Sequence, residues 1–454
     1  MKRTLSAWIL AAVATGMPAF ADDAITFSKH VAPILQKNCQ ECHRTGDIAP
    51  MSLLTFEEAR PWAKSIRKHV SERTMPPWFA DPAHGKWKND RSLCEADLKT
   101  ITSWVDQGAK EGDPTDMPAP VAFATEDGWK YGEPELVFQY PRPYFLGKDV
   151  ADEYRCFVMP IDVDQDVWLK AVEYRPDNRA VVHHFIVFID ETDSSLLKDA
   201  VTPEPGCECS MSGGGAGPLK FAHAWAPGND APLMPGGMAS KIKRGSHLVL
   251  QIHYHNTTGA DQLDQSRIAL QLAHGDETIV KEPQINMVSA WQLNIAAGDP
   301  AAKHMAVYTA MKDLALGSAA PHMHYRGKSM QLFYQRPGEA EQLFLSVPRY
   351  DFNWQMTYSM EEPLKLPKGS KIRMEAIHDN SENNPFNPKL PPVEVHWGEE
   401  THNEMALAFL GVMYDDDKLN VTPEWPLRMT SNATKDGGMT INERTATASA
   451  TAGE

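Results

Sequence analysis

The sequence predicts a mostly β chain: two antiparallel β-sandwich domains preceded by a small all-α domain. Three observations carry this reading. From residue 120 onward, short alternating runs are separated by Pro, Gly, Asn and Asp, the pattern of strands joined by turns. That pattern repeats, over residues 121–275 and again over 276–430. Before residue 112, apolar residues recur at helical spacing instead.

The first element is a leader. Lys2 and Arg3 precede an apolar stretch from Leu5 to Met17, and Ala19-Phe20-Ala21 follows as a cleavage site. The apolar stretch is too short to span a bilayer. Residues 1–21 therefore predict a cleaved signal peptide and export. The formal charge of −16 grows more negative once Lys2 and Arg3 are lost, which argues against nucleic acid or an anionic membrane as partner. No later apolar run is long enough for a membrane span.

Residues 22–112 carry Cys39-Gln-Glu-Cys42-His43, a Cys-x-x-Cys-His motif. The two thiols add to haem vinyl groups and the adjacent histidine becomes the proximal ligand. A disulfide or zinc pair is the alternative. Haem c in an exported chain points to the bacterial periplasm. Met75, on the stiff run Met75-Pro-Pro-Trp78, is the expected sixth ligand, with Met51 and His69 as competitors. Ser92 and Glu95 read as a capping box for a helix with Leu98, Ile101, Trp104 and Val105 on one stripe, ended by Gly108. Length, motif and helices resemble a class I cytochrome c domain. Residues 113–120 read as a linker.

In residues 121–275, Val181–Phe188 is a strand with adjacent histidines, His183 and His184. Both reach one metal only if the strand bends or ends there, as at a bulge. The run Leu248–His255 puts His253 and His255 on one face. His183, His184 and His253 are read as a three-imidazole copper site. His255 is left as ligand, supporting group or exposed residue, and His223 as structural.

In residues 276–430, His322 and His324 stand two apart on a strand, so both leave one face. With Met405 they form a set soft enough for Cu(I). His396 and His402 flank Met405 as supporting groups. Met is abundant, so a lone Met is normally core filler. Residues 431–454, rich in Thr, Ala, Ser and Gly, predict a disordered tail.

The runs Ala180-Val-Val-His-His184, Leu250-Gln-Ile-His-Tyr254, His322-Met-His-Tyr-Arg-Gly-Lys328 and His396–Met405 together resemble the copper type II, ascorbate-dependent monooxygenases. The resemblance implies two jelly-roll-like sandwiches, each with one copper, facing across a solvent-filled cleft. It implies an electron-transfer copper on His183, His184 and His253, and an oxygen-binding catalytic copper on His322, His324 and Met405. It also implies a disulfide from Cys156 to Cys207 or Cys209, with Cys207 the favoured partner, which leaves Cys94 to pair with Cys209 or to stay free. The sequence departs from the peptide-amidating members at Ala320, Leu407 and Phe409, where they use an arginine, an asparagine and a tyrosine to bind substrate. The implied substrate is accordingly more apolar than a glycine-ended peptide.

The expected function is a periplasmic monooxygenase that uses two copper ions, O2 and one covalent haem c to hydroxylate a C–H bond of a small organic substrate. A periplasmic donor would feed electrons to the haem. The alternatives are a copper and haem electron-transfer or copper-handling protein without a substrate, and a metal-free scaffold whose histidine pairs are coincidental.

Overall fold

The computed structural model describes residues 24–45, 49–123, 128–210, 219–226, 233–416, 418–425, 427 and 439–441. The expected signal peptide and most of the expected tail lie outside these. The chain divides into two compact units. The smaller takes the described residues up to Thr45, then Met51–Glu72 and Leu93–Val121. The larger takes Arg73–Ser92 and the described residues from Ala122 on.

The smaller unit is helical. Helices Ala32–Asn38, Phe56–Ala59, Ala63–Ser71 and Glu95–Asp106 surround a core of Phe27, Leu35, Ile66, Ile101 and Trp104. Thr55 and Glu58 form a capping box on the second helix. The box expected at Ser92 is not formed: the last helix starts at Glu95, and the Cys94 sulfur accepts from the Asp97 amide as its N-cap. Gly108 ends that helix at φ 95°, a left-handed backbone that only glycine adopts freely.

Two sequence boundaries need correction. Residues 73–92 belong to the larger unit, because Trp78, Phe79 and Trp87 fill the core of its second sandwich. Asp81 and Lys88 donate backbone bonds to Ser346 and Ser359 there, at 2.8 Å each. Met75 lies in this segment, so the expected sixth ligand is in the larger unit, whereas Met51 is in the smaller. The expected linker 113–120 is the closing stretch of the smaller unit. Asp113 caps a 3-10 turn at Pro114–Asp116, and Gln36 donates to the Ala119 carbonyl at 3.1 Å.

The larger unit is mostly β, with antiparallel sheets. One five-stranded sheet runs Cys207–Glu208, Asp152–Pro160, His247–His255, Val182–Asp190, Lys220–Trp225. The second runs Met439–Ile441, Leu136–Gln139, Arg267–Leu272, Val167–Arg175, Ser240–Ile242. Phe138, Phe157, Val187, Leu250 and Leu270 pack in their shared core. Met439–Ile441 corrects the expectation of a wholly unstructured tail: this β-favouring triplet pairs with Leu136–Phe138.

Two four-stranded sheets follow. One runs Gln284–Ser289, Ala406–Tyr414, Leu314–Met323, Tyr358–Leu366; the other Ala302–Thr309, Lys371–His378, Gly327–Gln335, Gln342–Val347. Leu316, Leu332, Leu345, Met374 and Leu410 are buried in their core.

Cys156 bonds to Cys209, not to Cys207. Cys207 stands directly opposite Cys156 in the strand register, and Cys209 is two residues on, so spacing could not choose between them. The bond goes to the diagonal neighbour, with Cα atoms 5.8 Å apart, inside the range a disulfide bridges. Cys207 remains a buried thiol and Cys94 an exposed one, which also removes the expected Cys94–Cys209 bond. A disulfide fits an oxidising compartment. Among the described residues, no helix is long and apolar enough to cross a membrane.

Candidate metal centres

The first centre is built by one irregularity. Val182 pairs with Tyr254, but His184 pairs with His253, so the register slips by one at His183. That is the bulge the adjacent histidines required, and it turns neighbours in sequence toward one point. The His184 Nδ1 lies 3.2 Å from the His183 Nδ1 and 3.3 Å from the His253 Nδ1. Nitrogens bound to one metal at about 2.0 Å with a roughly tetrahedral angle are about 3.3 Å apart. The three rings are the one cluster of metal-ligating His, Cys, Asp or Glu groups among the described residues.

The surroundings hold these rings neutral. Burial pushes His183 and His184 well below the ordinary histidine value, and their neighbouring imidazoles push the same way. Burial also lowers His253, opposed by Asp152. The His253 Nε2 is 2.9 Å from Asp152 Oδ1. A carboxylate only accepts, so this nitrogen carries the proton and the Nδ1 lone pair faces inward. Burial works to raise the Asp152 carboxyl, but its bonds to His253, His255 and Thr401 outweigh that and hold it low. His255 proves to be a supporting group. Its Nδ1 reaches Asp152 at 3.0 Å and its Nε2 accepts from the Tyr325 hydroxyl at 3.1 Å. His223 is structural as expected, bonded to the Tyr174 hydroxyl at 3.0 Å.

The second centre uses regular strand geometry. His322 and His324 come together with ring centroids 5.3 Å apart. The strands Leu314–Met323 and Ala406–Tyr414 pair His322 with Leu407 and Met323 with Ala406, so the next step sets the buried Met405 across from His324. Directly paired residues share a face, which puts His322 and Leu407 on one side; the same alternation carried one residue past the strand ends puts His324 and Met405 there too. Gln355 Oε1 accepts from His322 Nδ1 at 2.7 Å, which leaves Nε2 bare. That Nε2 is buried and finds no hydrogen-bond partner among the described residues. The Asn403 carbonyl takes the His324 Nδ1 proton at 3.3 Å. Burial pushes His322 down to about 4.

Glu404 braces the loop before Met405. It is fully buried and accepts from the backbone amides of His324 at 2.9 Å, Arg326 at 2.6 Å and Met405 at 3.2 Å. Burial raises its carboxyl to about 7 against those donors. His396 and His402, expected as supporting groups, are exposed. The side chain of His402 pairs with Glu400 at 3.0 Å.

Aromatic contacts link the two centres on one side. Phe352 stacks on His183 at 4.8 Å and meets His324 edge-on at 6.0 Å. Sequence reasoning missed Asp152, Gln355, Phe352 and the bracing role of Glu404. None sits in a spacing that marks it.

In the smaller unit, the amides of Cys42 and His43 both bond back to the Cys39 carbonyl, at 3.1 and 2.9 Å, folding the motif into one turn. The Met51 carbonyl accepts from His43 Nδ1 at 3.3 Å, which leaves Nε2 as the unprotonated nitrogen of the ring. Burial and Cys42 push the Cys39 thiol up to about 12.

No protein-family model and no curated protein matches this chain. Solved structures that align with it include the STIV MCP, with TM-score 0.26 and 10% identity over 63% of this chain and 98% of that one. The infectious bursal disease virus VP2 subviral particle aligns with TM-score 0.18 and 10% identity, over 66% and 76%. At these scores neither bears on the function.

Proposed function

We propose that the protein is a copper-dependent monooxygenase with two jelly-roll-like sandwiches, working in the periplasm and hydroxylating a C–H bond of an apolar organic substrate. The observation that carries this is the convergence of three imidazole Nδ1 atoms at ligand spacing beside a second imidazole pair that faces a methionine. The donor sets fit copper: nitrogen only in the first, nitrogen and thioether in the second. Copper there would supply O2 binding and one-electron chemistry, and haem on Cys39, Cys42 and His43 would supply electrons singly.

The chain's own residues have definable tasks. Asp152 orients His253 by holding its Nε2 proton. Gln355 and the Asn403 carbonyl hold the outer protons of His322 and His324, so both rings present Nε2. Ala320 pairs with Phe409, and Phe409 stacks on Phe221 at 6.1 Å. This face is apolar where a carboxylate-binding site needs cationic or polar groups, which favours an apolar substrate.

The test is O2 consumption by reduced, copper-loaded protein against a panel of apolar substrates, with copper X-ray absorption on the same samples. The expected result is substrate-dependent O2 uptake, abolished in Met405→Ala together with the sulfur scatterer. Copper binding with the sulfur scatterer but no substrate-dependent uptake favours electron transfer or copper handling instead.

A further inference from the structure

Cys207 and Cys209 stand in competition for one sulfur. Cys156 is bonded to Cys209, yet the residue directly opposite Cys156 in the strand register is Cys207, whose thiol is free and buried. The Cys209 amide donates to the Tyr154 carbonyl at 3.2 Å, so the pairing of these strands runs on from Cys207 to Cys209. Residues two apart on a strand leave one face, and directly opposite residues share theirs, so the three cysteines lie on one face of the sheet. Opposite residues in an antiparallel ladder stand about 4.5–5.5 Å apart at Cα, and a disulfide spans roughly 4.4–6.8 Å. The bond to Cys209 spans 5.8 Å. Either partner is therefore within reach of Cys156 at the same strand register.

The place of Cys207 is built by its neighbours. Gly206 has φ 67°, and a Cβ there would lie 2.6 Å from the Cys156 carbonyl oxygen and 2.9 Å from the Phe157 ring. Glycine alone lets the two backbones come this close. Arg155 clamps the approach, donating from Nε to the Pro205 carbonyl at 3.0 Å and from Nη2 to the Gly206 carbonyl at 2.7 Å. Cys156 and Cys207 are packed with Ile186, Phe188 and Val249, while Cys209 sits half-buried at the margin of that cluster. Burial pushes the Cys207 thiol up, which keeps it protonated and slow to react at rest.

We propose that Cys207 and Cys209 are alternative partners of Cys156, and that an internal thiol–disulfide exchange moves the free thiol from buried Cys207 to half-buried Cys209. The Cys207 sulfur gives up its proton and attacks the Cys156 sulfur. The Cys156–Cys207 bond forms as the Cys156–Cys209 bond breaks, and the Cys209 sulfur leaves as a thiolate that takes up a proton. One disulfide and one thiol stand on each side of the step, so no oxidant or reductant is consumed. The strand Cys207–Glu208 is the edge of its sheet, so the exchange carries a thiol from a dry pocket to the sheet margin. The device stands whether or not the protein is a monooxygenase, because it uses none of the residues placed at the two metal centres.

The test uses the full-length, haem-loaded chain, incubated folded at mildly alkaline pH. Aliquots are unfolded at mildly acid pH, where exchange stops, free thiols are blocked with N-ethylmaleimide, and the chain is cut after Glu208, which separates the two competing cysteines for mass spectrometry. The expected result is a fraction with the Cys156–Cys207 bond and the label on Cys209, growing to a constant level at a rate unchanged by dilution. Cys207→Ser should show no label on Cys209, and Cys209→Ser should form the Cys156–Cys207 bond. The wild-type readout needs no variant to fold. A Cys209 that stays unlabelled through the incubation overturns the exchange. A rate that falls on dilution overturns its internal course, and Cys209→Ser with Cys156 and Cys207 both labelled overturns the alternative pairing.

Discussion

The two candidate centres solve one problem in opposite ways. In the first, a bulge at His183 breaks the register so that neighbouring histidines converge through Nδ1, and a buried carboxylate, Asp152, fixes His253. In the second, the register runs unbroken from Ser318 to Met323, alternation puts His322 and His324 together, and neutral acceptors fix them so that Nε2 faces inward. The lesson is that the outer hydrogen bond of each ring decides which nitrogen is offered. The charge of the outer partner then decides how much each ring depends on its neighbours.

The largest effect should come from removing one ring at each centre. His253→Ala removes a buried ring and its hydrogen bond to the Asp152 carboxylate, and a bond to a charged acceptor is worth about 1.5–3 kcal/mol. His322→Ala removes a ring whose partner is the neutral Gln355, so its cost to the copper-free chain should be smaller. Urea unfolding of both variants tests this, and copper analysis should show each losing its own centre while keeping the other. Equal unfolding costs would erase the distinction between charged and neutral support.

Acid probes the second centre next, together with His378, whose Nε2 donates to the Met405 carbonyl beside it. Burial holds His322 and His378 at about 4, against about 6.5 in the unfolded chain. Below 6.5 the unfolded state takes up protons that the folded rings refuse. Their contribution is therefore complete above pH 6.5 and falls as pH drops toward 4, by up to roughly 3 kcal/mol for each ring. Glu404, raised to about 7, binds its proton in the folded state first and offsets part of that decline. Unfolding of the copper-free protein at pH 7, 5.5 and 4.5 should show the net decline, and His322→Gln should remove its own share of it. Copper release should follow the same direction, because protons compete for the ligand nitrogens.

The sequence made the clustered histidines legible and left their supports hidden, for a physical reason. Adjacent His183 and His184 demand a bulge, and His322 and His324 at spacing two demand one strand face, so local geometry was enough. Asp152 acts across a sheet, opposite His255 in the register, and no local pattern singles it out. Gln355 and Phe352 arrive on a loop far along the chain from the histidines they touch. The placement of Trp78, Phe79 and Trp87 was hidden likewise, since an aromatic run signals burial without naming the core it joins.

Asp152→Asn sharpens the comparison at a smaller scale. It retains shape and an acceptor but loses charge, and losing the outer partner of a metal-binding histidine typically weakens metal binding about 10–100-fold. Competitive chelation should show that loss at the three-imidazole centre alone. An equal loss at the methionine centre would mean that Asp152 acts through Thr401, whose hydroxyl it accepts at 2.8 Å.

The smallest effect concerns the ring that touches both centres. Phe352 stacks on His183 and meets His324 and Tyr325, with Tyr325 4.6 Å away centroid to centroid. Phe352→Leu keeps most of the apolar volume and loses the stacking, so it should cost less than about 1.5 kcal/mol and only a few degrees of thermal stability. If each centre is fixed by its own strand geometry and outer hydrogen bonds, copper uptake at both should be unchanged. Should Phe352→Leu release copper from either, the ligands depend on the aromatic contact for their orientation. The two centres would then be halves of one packed assembly, and the contrast between bulge and regular strand would describe how each is assembled but not what keeps it in place.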